Sequence, residues 1–209
     1  MITTIAGFQR LTAWAGLAWI AGWAWFCVLC GHPGWAFGGA LILWAGYALA
    51  LGFELVAMRF VSRRDPTPPA TLGELLRAWW TEMTIAPRVF CWRQPFRTWA
   101  QPDHLPTDAG GRLGVVFVHG FICNRAMWNP WMARLRQSGV PFIAVNLEPV
   151  FGSIEHYAGI IDAAVRRVHD ATGRPPLVVA HSMGKGTQAR GRLVIFKAAL
   201  GAGTNKEAA

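Results

Sequence analysis

The residues best suited to chemistry are Ala180-His181-Ser182-Met183-Gly184, which follow the apolar run Leu177-Val178-Val179. A serine between small residues at the end of a buried strand sits on a tight turn, with its hydroxyl carried out of the sheet. A bulky side chain two positions either side would strike the neighbouring strand or helix. The matching chemistry is acyl transfer. The Ser182 hydroxyl would lose its proton to a base and attack a carbonyl carbon, and the resulting oxyanion would need hydrogen-bond donors. The same five residues also fit a strand-to-helix turn whose serine is an ordinary N-cap.

A second turn supplies the donors. Leu113-Gly114-Val115-Val116-Phe117-Val118 is a continuous apolar run of the kind buried in a parallel sheet, and it ends in His119-Gly120-Phe121. Gly120 keeps the backbone open there. The N–H groups of Phe121 and Met183 are the candidate oxyanion donors, each worth about 3 kcal/mol in the transition state. Gly120 and Gly184 are the loop and turn glycines that make room. Between these turns the chain predicts a helix over 124–138 stopped by Gly139, a strand over 140–147, and a helix over 154–172 closed by Gly173. The strand at 177–181 then leads to Ser182. Strands alternate with helices, so the fold class is α/β, with a parallel sheet, flanking helices and right-handed crossovers.

The first third of the chain is of another kind. Apolar residues make up 53% of the 209 residues, only 15% are charged, and there are twelve Trp. Leu11 to Gly31 carries no charge, and Trp35 to Met58 carries only Glu54. Each run is long enough to cross the ~30 Å hydrocarbon core of a bilayer. Gly31-His32-Pro33-Gly34 is the turn between them. A signal peptide fits the first run poorly, because the run is long, lacks an Ala-x-Ala-like end and is followed at once by a second span. Arg10 before the first span and Arg59, Arg63 and Arg64 after the second put both ends on the cytoplasmic side. Gly16, Gly22, Gly38, Gly39 and Gly46 would let the two helices pack closely. Cys27 and Cys30 are read as small membrane-helix residues rather than a metal or redox pair.

Asp65-Pro66-Thr67-Pro68-Pro69 reads as a linker. Thr71 and Glu74 form the pattern of a capping box, opening a helix that ends before Pro87. Arg88, Arg93 and Arg97, mixed with Phe90, Trp92, Phe96 and Trp99, fit either an interfacial segment or a stripe packed on the following domain. The expected organisation is a two-helix membrane anchor over 1–64 (spans about 11–31 and 35–58), a linker and aromatic-basic segment over 65–112, and an α/β domain over 113–209.

Over roughly residues 113–185 the chain resembles the α/β-hydrolase superfamily, in particular its lipases and esterases, through His119-Gly120-Phe121 and His181-Ser182-Met183-Gly184. The resemblance implies Ser182 as nucleophile, a carboxylic-ester or acyl-ester substrate, and no metal or organic cofactor. It also implies a triad running serine, acid, histidine along the chain. No His or Asp follows Ser182, and the sole acid there is Glu207. Lys185 stands where a further glycine is common, and the basic residues Lys185, Arg190, Arg192, Lys197 and Lys206 fill the tail. The expectation is therefore a partial hydrolase domain, truncated or frame-altered, ending shortly after Ser182 with an open apolar sheet edge that a protein partner could cover. The alternative is a non-catalytic membrane protein that uses this domain for interaction. The net charge of +9 also allows nucleic acid as a partner, but no nucleic-acid motif accompanies it, so membrane lipid is the expected partner.

Overall fold

The computed structural model describes residues 4–64, 69–181 and 193–195. The proline linker expected at 65–69 lies outside the described residues except for Pro69. The chain forms two compact units. One holds Leu11–Arg88. The other joins the first ten residues to the stretch beginning at Val89.

Helices α1 (Thr4–Leu29) and α2 (Gly38–Val61) replace the two apolar runs, with a single 3-10 turn (Pro33–Trp35) between them. Both are long and apolar enough to cross a membrane, and in each only 6% of the most apolar window is buried inside the protein. Two indole N–H groups of α1 reach carbonyls across the turn: Trp23 Nε1 donates to Trp35 O at 2.9 Å and Trp19 Nε1 to Gly39 O at 3.2 Å. Gly39 is what permits this approach, since a Cβ there would come within 2.8 Å of the Trp23 side chain. Gly38 has the same indole as its neighbour, whereas Gly16, Gly22 and Gly46 face open space. The close-packing role expected of five glycines therefore falls, within this chain, to two.

Helix α3 (Leu72–Pro87) opens on a complete capping box at Thr71 and Glu74. Trp79 Nε1 ties it to α2 by donating to Ala48 O at 2.8 Å. The helix does not stop before Pro87, as the sequence predicts. It includes Pro87 and continues as a π-helical stretch (Arg88–Arg93) into the short α4 (Gln94–Phe96). Proline removes one N–H donor and crowds the carbonyl four residues back. The wider π turn that follows is a known accommodation of such a disturbance.

In the other unit four parallel strands form one sheet in the order β2-β1-β3-β4. They are β1 (Val115–Val118), β2 (Phe142–Ala144), β3 (Leu177–Ala180) and β4 (Leu193–Ile195). The open edge expected beyond β3 is filled: Val178, Val179 and Ala180 pair with Leu193, Val194 and Ile195. The apolar run Leu193-Val194-Ile195-Phe196 is at the short limit of what reads as a strand, and its basic, glycine-rich surroundings mask it.

Successive side chains of a strand point to opposite faces, and the core divides accordingly. Val116, Val118, Ile143, Val178 and Ala180 pack with Ile161, Ala164 and Val168 of α6 (Ile154–Thr172). Val115, Phe117, Phe142, Ala144 and Val179 pack with Trp128 and Met132 on the other face. Met132 belongs to α5 (Asn129–Gln137), which a 3-10 turn (Arg125–Trp128) precedes. Gly114 is required where β1 begins, because a Cβ there would collide with the Val168 side chain. Gly139 (φ 66°) and Gly173 (φ 67°) end α5 and α6 in the left-handed conformation expected of them. The aromatic-basic segment packs on this unit through Gln94, Pro95 and Thr98, all buried, while Trp92 and Trp99 stay exposed.

Candidate active site

The two turns singled out from sequence belong to neighbouring strands. In β1 and β3 the register aligns Val118 with Ala180, and His181 N–H donates to Val118 O at 3.0 Å. Both chains therefore leave the sheet side by side at its C-terminal end. Ligand sites of open α/β sheets lie at that end. Ser182, Met183 and Gly184 themselves lie outside the described residues.

The β1 turn is described in full. Phe121 is 43% exposed, and among the described residues none accepts a hydrogen bond from its N–H. The next residue, Ile122, has φ 54°. A β-branched residue in the left-handed region is strained, so surrounding contacts must hold it there. Those contacts are polar and buried. Gln9 Nε2 donates to Ile122 O at 3.1 Å and to Gln94 Oε1 at 3.3 Å. Asn124 N–H donates to Gln94 Oε1 at 2.7 Å, and Asn124 Nδ2 donates to Gln94 O at 2.9 Å. Gln94 and Asn124 have no exposed surface and Gln9 only 4%. Asn124 Oδ1 also caps the following 3-10 turn through Ala126 N–H at 2.9 Å. Three amides, drawn from the start of α1, from α4 and from the turn itself, thus fix the loop beside Phe121. Sequence reasoning missed all three. Gln9 offers only one signal, a polar residue at the head of an apolar helix.

Arg125 anchors the far side of this loop. Its Nη2 donates to Asp103 Oδ1 at 2.8 Å and to Gln101 O at 2.9 Å, and its guanidinium lies 4.6 Å from the Trp99 ring. Its backbone N–H donates to Asn146 Oδ1 at 2.9 Å. Burial pulls the Arg125 pKa below the usual arginine range, and the Asp103 carboxylate works against that pull. Asp103 also accepts from Ala144 N–H at 3.2 Å, which binds the loop to the end of β2.

His119 is a structural histidine. Nε2 accepts from Leu147 N–H at 2.9 Å, so the proton is on Nδ1, which donates to Gly120 O at 2.8 Å. Both ring nitrogens are occupied by backbone. Its pKa is lowered to about 4, mainly by burial and in smaller part by His181, against the Gly120 hydrogen bond. Such a ring cannot take a proton from a nucleophile without breaking the turn. His104 packs on the Phe142 ring at 5.9 Å, and His156 Nε2 is 2.9 Å from Glu148 O on the β2–α6 loop. Among the described residues no group of His, Cys, Asp and Glu could hold a metal ion. The Cys123 thiol is buried, and burial raises its pKa, so it is not poised as a nucleophile.

A parallel sheet covered on both faces, with two loops meeting at its C-terminal end, defines an α/β protein with its site at the strand ends. Residues 115–206 match the model of the alpha/beta hydrolase family. The match begins at the first residue of β1 and runs past β4; helices α1 to α4 lie outside it. No curated protein and no solved structure matches the chain.

Proposed function

We propose that the protein is a membrane-anchored serine hydrolase of carboxylic or acyl esters, with Ser182 as nucleophile and the N–H groups of Phe121 and Met183 as oxyanion donors. One observation carries this reading. The His119-Gly120-Phe121 turn and the strand leading to Ser182 leave adjacent strands in register at one end of the sheet. The Phe121 N–H, engaged by no described acceptor, supports it. In the reaction Ser182 Oγ bonds to the ester carbonyl carbon as its proton passes to a base. The tetrahedral oxyanion is held by the two N–H groups, the C–O bond breaks, and the alcohol leaves with a proton. Water then hydrolyses the acyl-enzyme. No metal or organic cofactor takes part in this scheme. Helices α1 and α2 serve as the anchor, with both ends of the pair on the cytoplasmic side of the membrane, where Arg10, Arg59, Arg63 and Arg64 lie.

The base is not His119, whose ring nitrogens are both held by backbone groups. A second reading is a non-catalytic interaction module of a membrane protein. Pairing of β3 with β4 removes the open edge as its docking surface. A fluorophosphonate separates the two readings. Labelling of the wild-type chain that is lost in Ser182→Ala is the expected result. Equal labelling of the two, or none in either, would overturn the hydrolase reading.

A further inference from the structure

We propose that the start of α1 forms the wall of an acyl-chain groove, so that the anchor helix selects the substrate of the hydrolase domain. The inference rests on the hydrolase reading and names its substrate class: esters with an aliphatic acyl chain. A cavity of about 360 Å³ opens between Ile5 and Phe8 of α1, Ile122 of the β1 turn, and Val150 and Phe151 of the β2–α6 loop. Its volume lies within the range of small-molecule sites, ~300–1,000 Å³. Among the described residues no charged side chain lines it, and Thr4 is the one with a polar side chain.

Three features make it a built groove that continues the candidate active site. Ile122 follows the proposed donor Phe121, and the Phe121 and Phe151 rings meet edge to face at 5.7 Å. The loop wall is pinned by Tyr157, whose hydroxyl accepts from Gly152 N–H at 2.8 Å and lies 2.6 Å from Pro149 O. The helix wall is pinned at both ends of the segment: Thr4 N–H donates to Glu148 Oε1 at 2.8 Å, and Gln9 holds Ile122 O. The walls are thus fixed while their apolar faces are left open, with Phe8 57% and Phe151 85% exposed. An alkyl chain meets that lining without leaving any polar group unpaired. The helical wall lies outside the residues matched to the hydrolase family.

The test uses the full-length protein in detergent micelles, with ethyl and octyl fluorophosphonates as probes. Each variant is scored by its own ratio of octyl to ethyl labelling rates at Ser182. Val150→Trp and Phe8→Trp fill the groove, and each is expected to lower that ratio at least ten-fold. A ratio unchanged in both variants overturns the proposal. If neither probe labels the wild-type chain, the hydrolase reading has failed, and the groove is judged separately. A fatty acid carrying a terminal diazirine is then photo-crosslinked to the wild-type protein and mapped by mass spectrometry. Adducts on Phe8, Val150 or Phe151 sustain the groove, and adducts confined to residues 11–61 overturn it.

Discussion

The helical pair and the sheet of the α/β unit both carry large apolar side chains, put to opposite use. In the sheet Val116 and Val118 have no exposed surface and Phe117 only 1%. In α1, Trp14, Leu17 and Trp25 are each more than half exposed. Composition alone makes both regions hydrophobic, but among the described residues it is the sheet that finds its apolar partner. A soluble helical pair would bury one stripe of each helix. Here large residues are exposed around α1 and α2, and under the proposed anchor role their partner is lipid. Apolar content reports how much surface must leave water, and burial reports what removes it.

The largest effect should come from cutting into the self-packed region. Phe117 stacks on Trp128 at 5.0 Å and meets Phe142 edge-on at 6.4 Å. Phe117→Ala is expected to destabilise the α/β unit by roughly 3–5 kcal/mol, read as the midpoint of chemical denaturation in micelles. Leu17→Ala should move the same midpoint by less than about 0.5 kcal/mol. Similar costs at the two positions would mean that α1 is packed like a core helix, and the contrast would be gone.

A charge reverses the test. Leu17 lies in the middle of α1, so Leu17→Arg should disfavour membrane insertion by about 3 kcal/mol. A glycosylation-mapped insertion assay reads this as a fall of two orders of magnitude in the inserted-to-excluded ratio. An unchanged ratio would show that this face of α1 does not meet lipid.

The α/β unit should also answer to pH where the helical pair does not. Folded His119 is held neutral, with its pKa lowered by burial to about 4 against an ordinary 6.5. Between those values the unfolded chain takes up a proton that the folded chain refuses. Stability is therefore full above about pH 6.5 and declines as pH falls toward 4, by roughly 3 kcal/mol if this group acts alone. His119→Gln should flatten that slope while lowering stability at pH 7. A slope that persists in the variant would place the proton uptake elsewhere.

What could be read from sequence was whatever repeats locally. The span of α6, Ile154–Thr172, follows from its apolar stripe and from Gly173. The strands ending at His119 and His181 follow from continuous apolar runs, and the Thr71 cap from a four-residue pattern. Long-range polar contacts leave no such period. Gln9 and Gln94 are 85 residues apart and meet in the interior, yet nothing around either residue announces the other. The assignment of the first ten residues to the α/β unit has the same cause: α1 reads as one uninterrupted helix, and a helical pattern does not say what its first two turns touch. The β4 strand escaped because its apolar run, Leu193 to Phe196, is of minimal length and set among basic and glycine residues.

The smallest effect tests the one place where the helical unit is organised by local polar chemistry. Thr71 Oγ1 accepts from Glu74 N–H at 3.3 Å, while Glu74 Oε2 accepts from Thr71 N–H at 2.7 Å. These hydrogen bonds, led by the backbone one, hold the Glu74 carboxyl below its ordinary pKa. Thr71→Ala leaves a first-turn N–H of α3 without its side-chain acceptor and is expected to cost about 1 kcal/mol. Because α3 is tied to α2 through Trp79 rather than to the sheet, the loss should be local. Amide exchange should quicken over residues 72–75 and stay unchanged in β1 and β3. Faster exchange in the strands would mean that the two regions unfold as one, and the division between a self-packed unit and an outward-facing one would then describe surfaces but not stability.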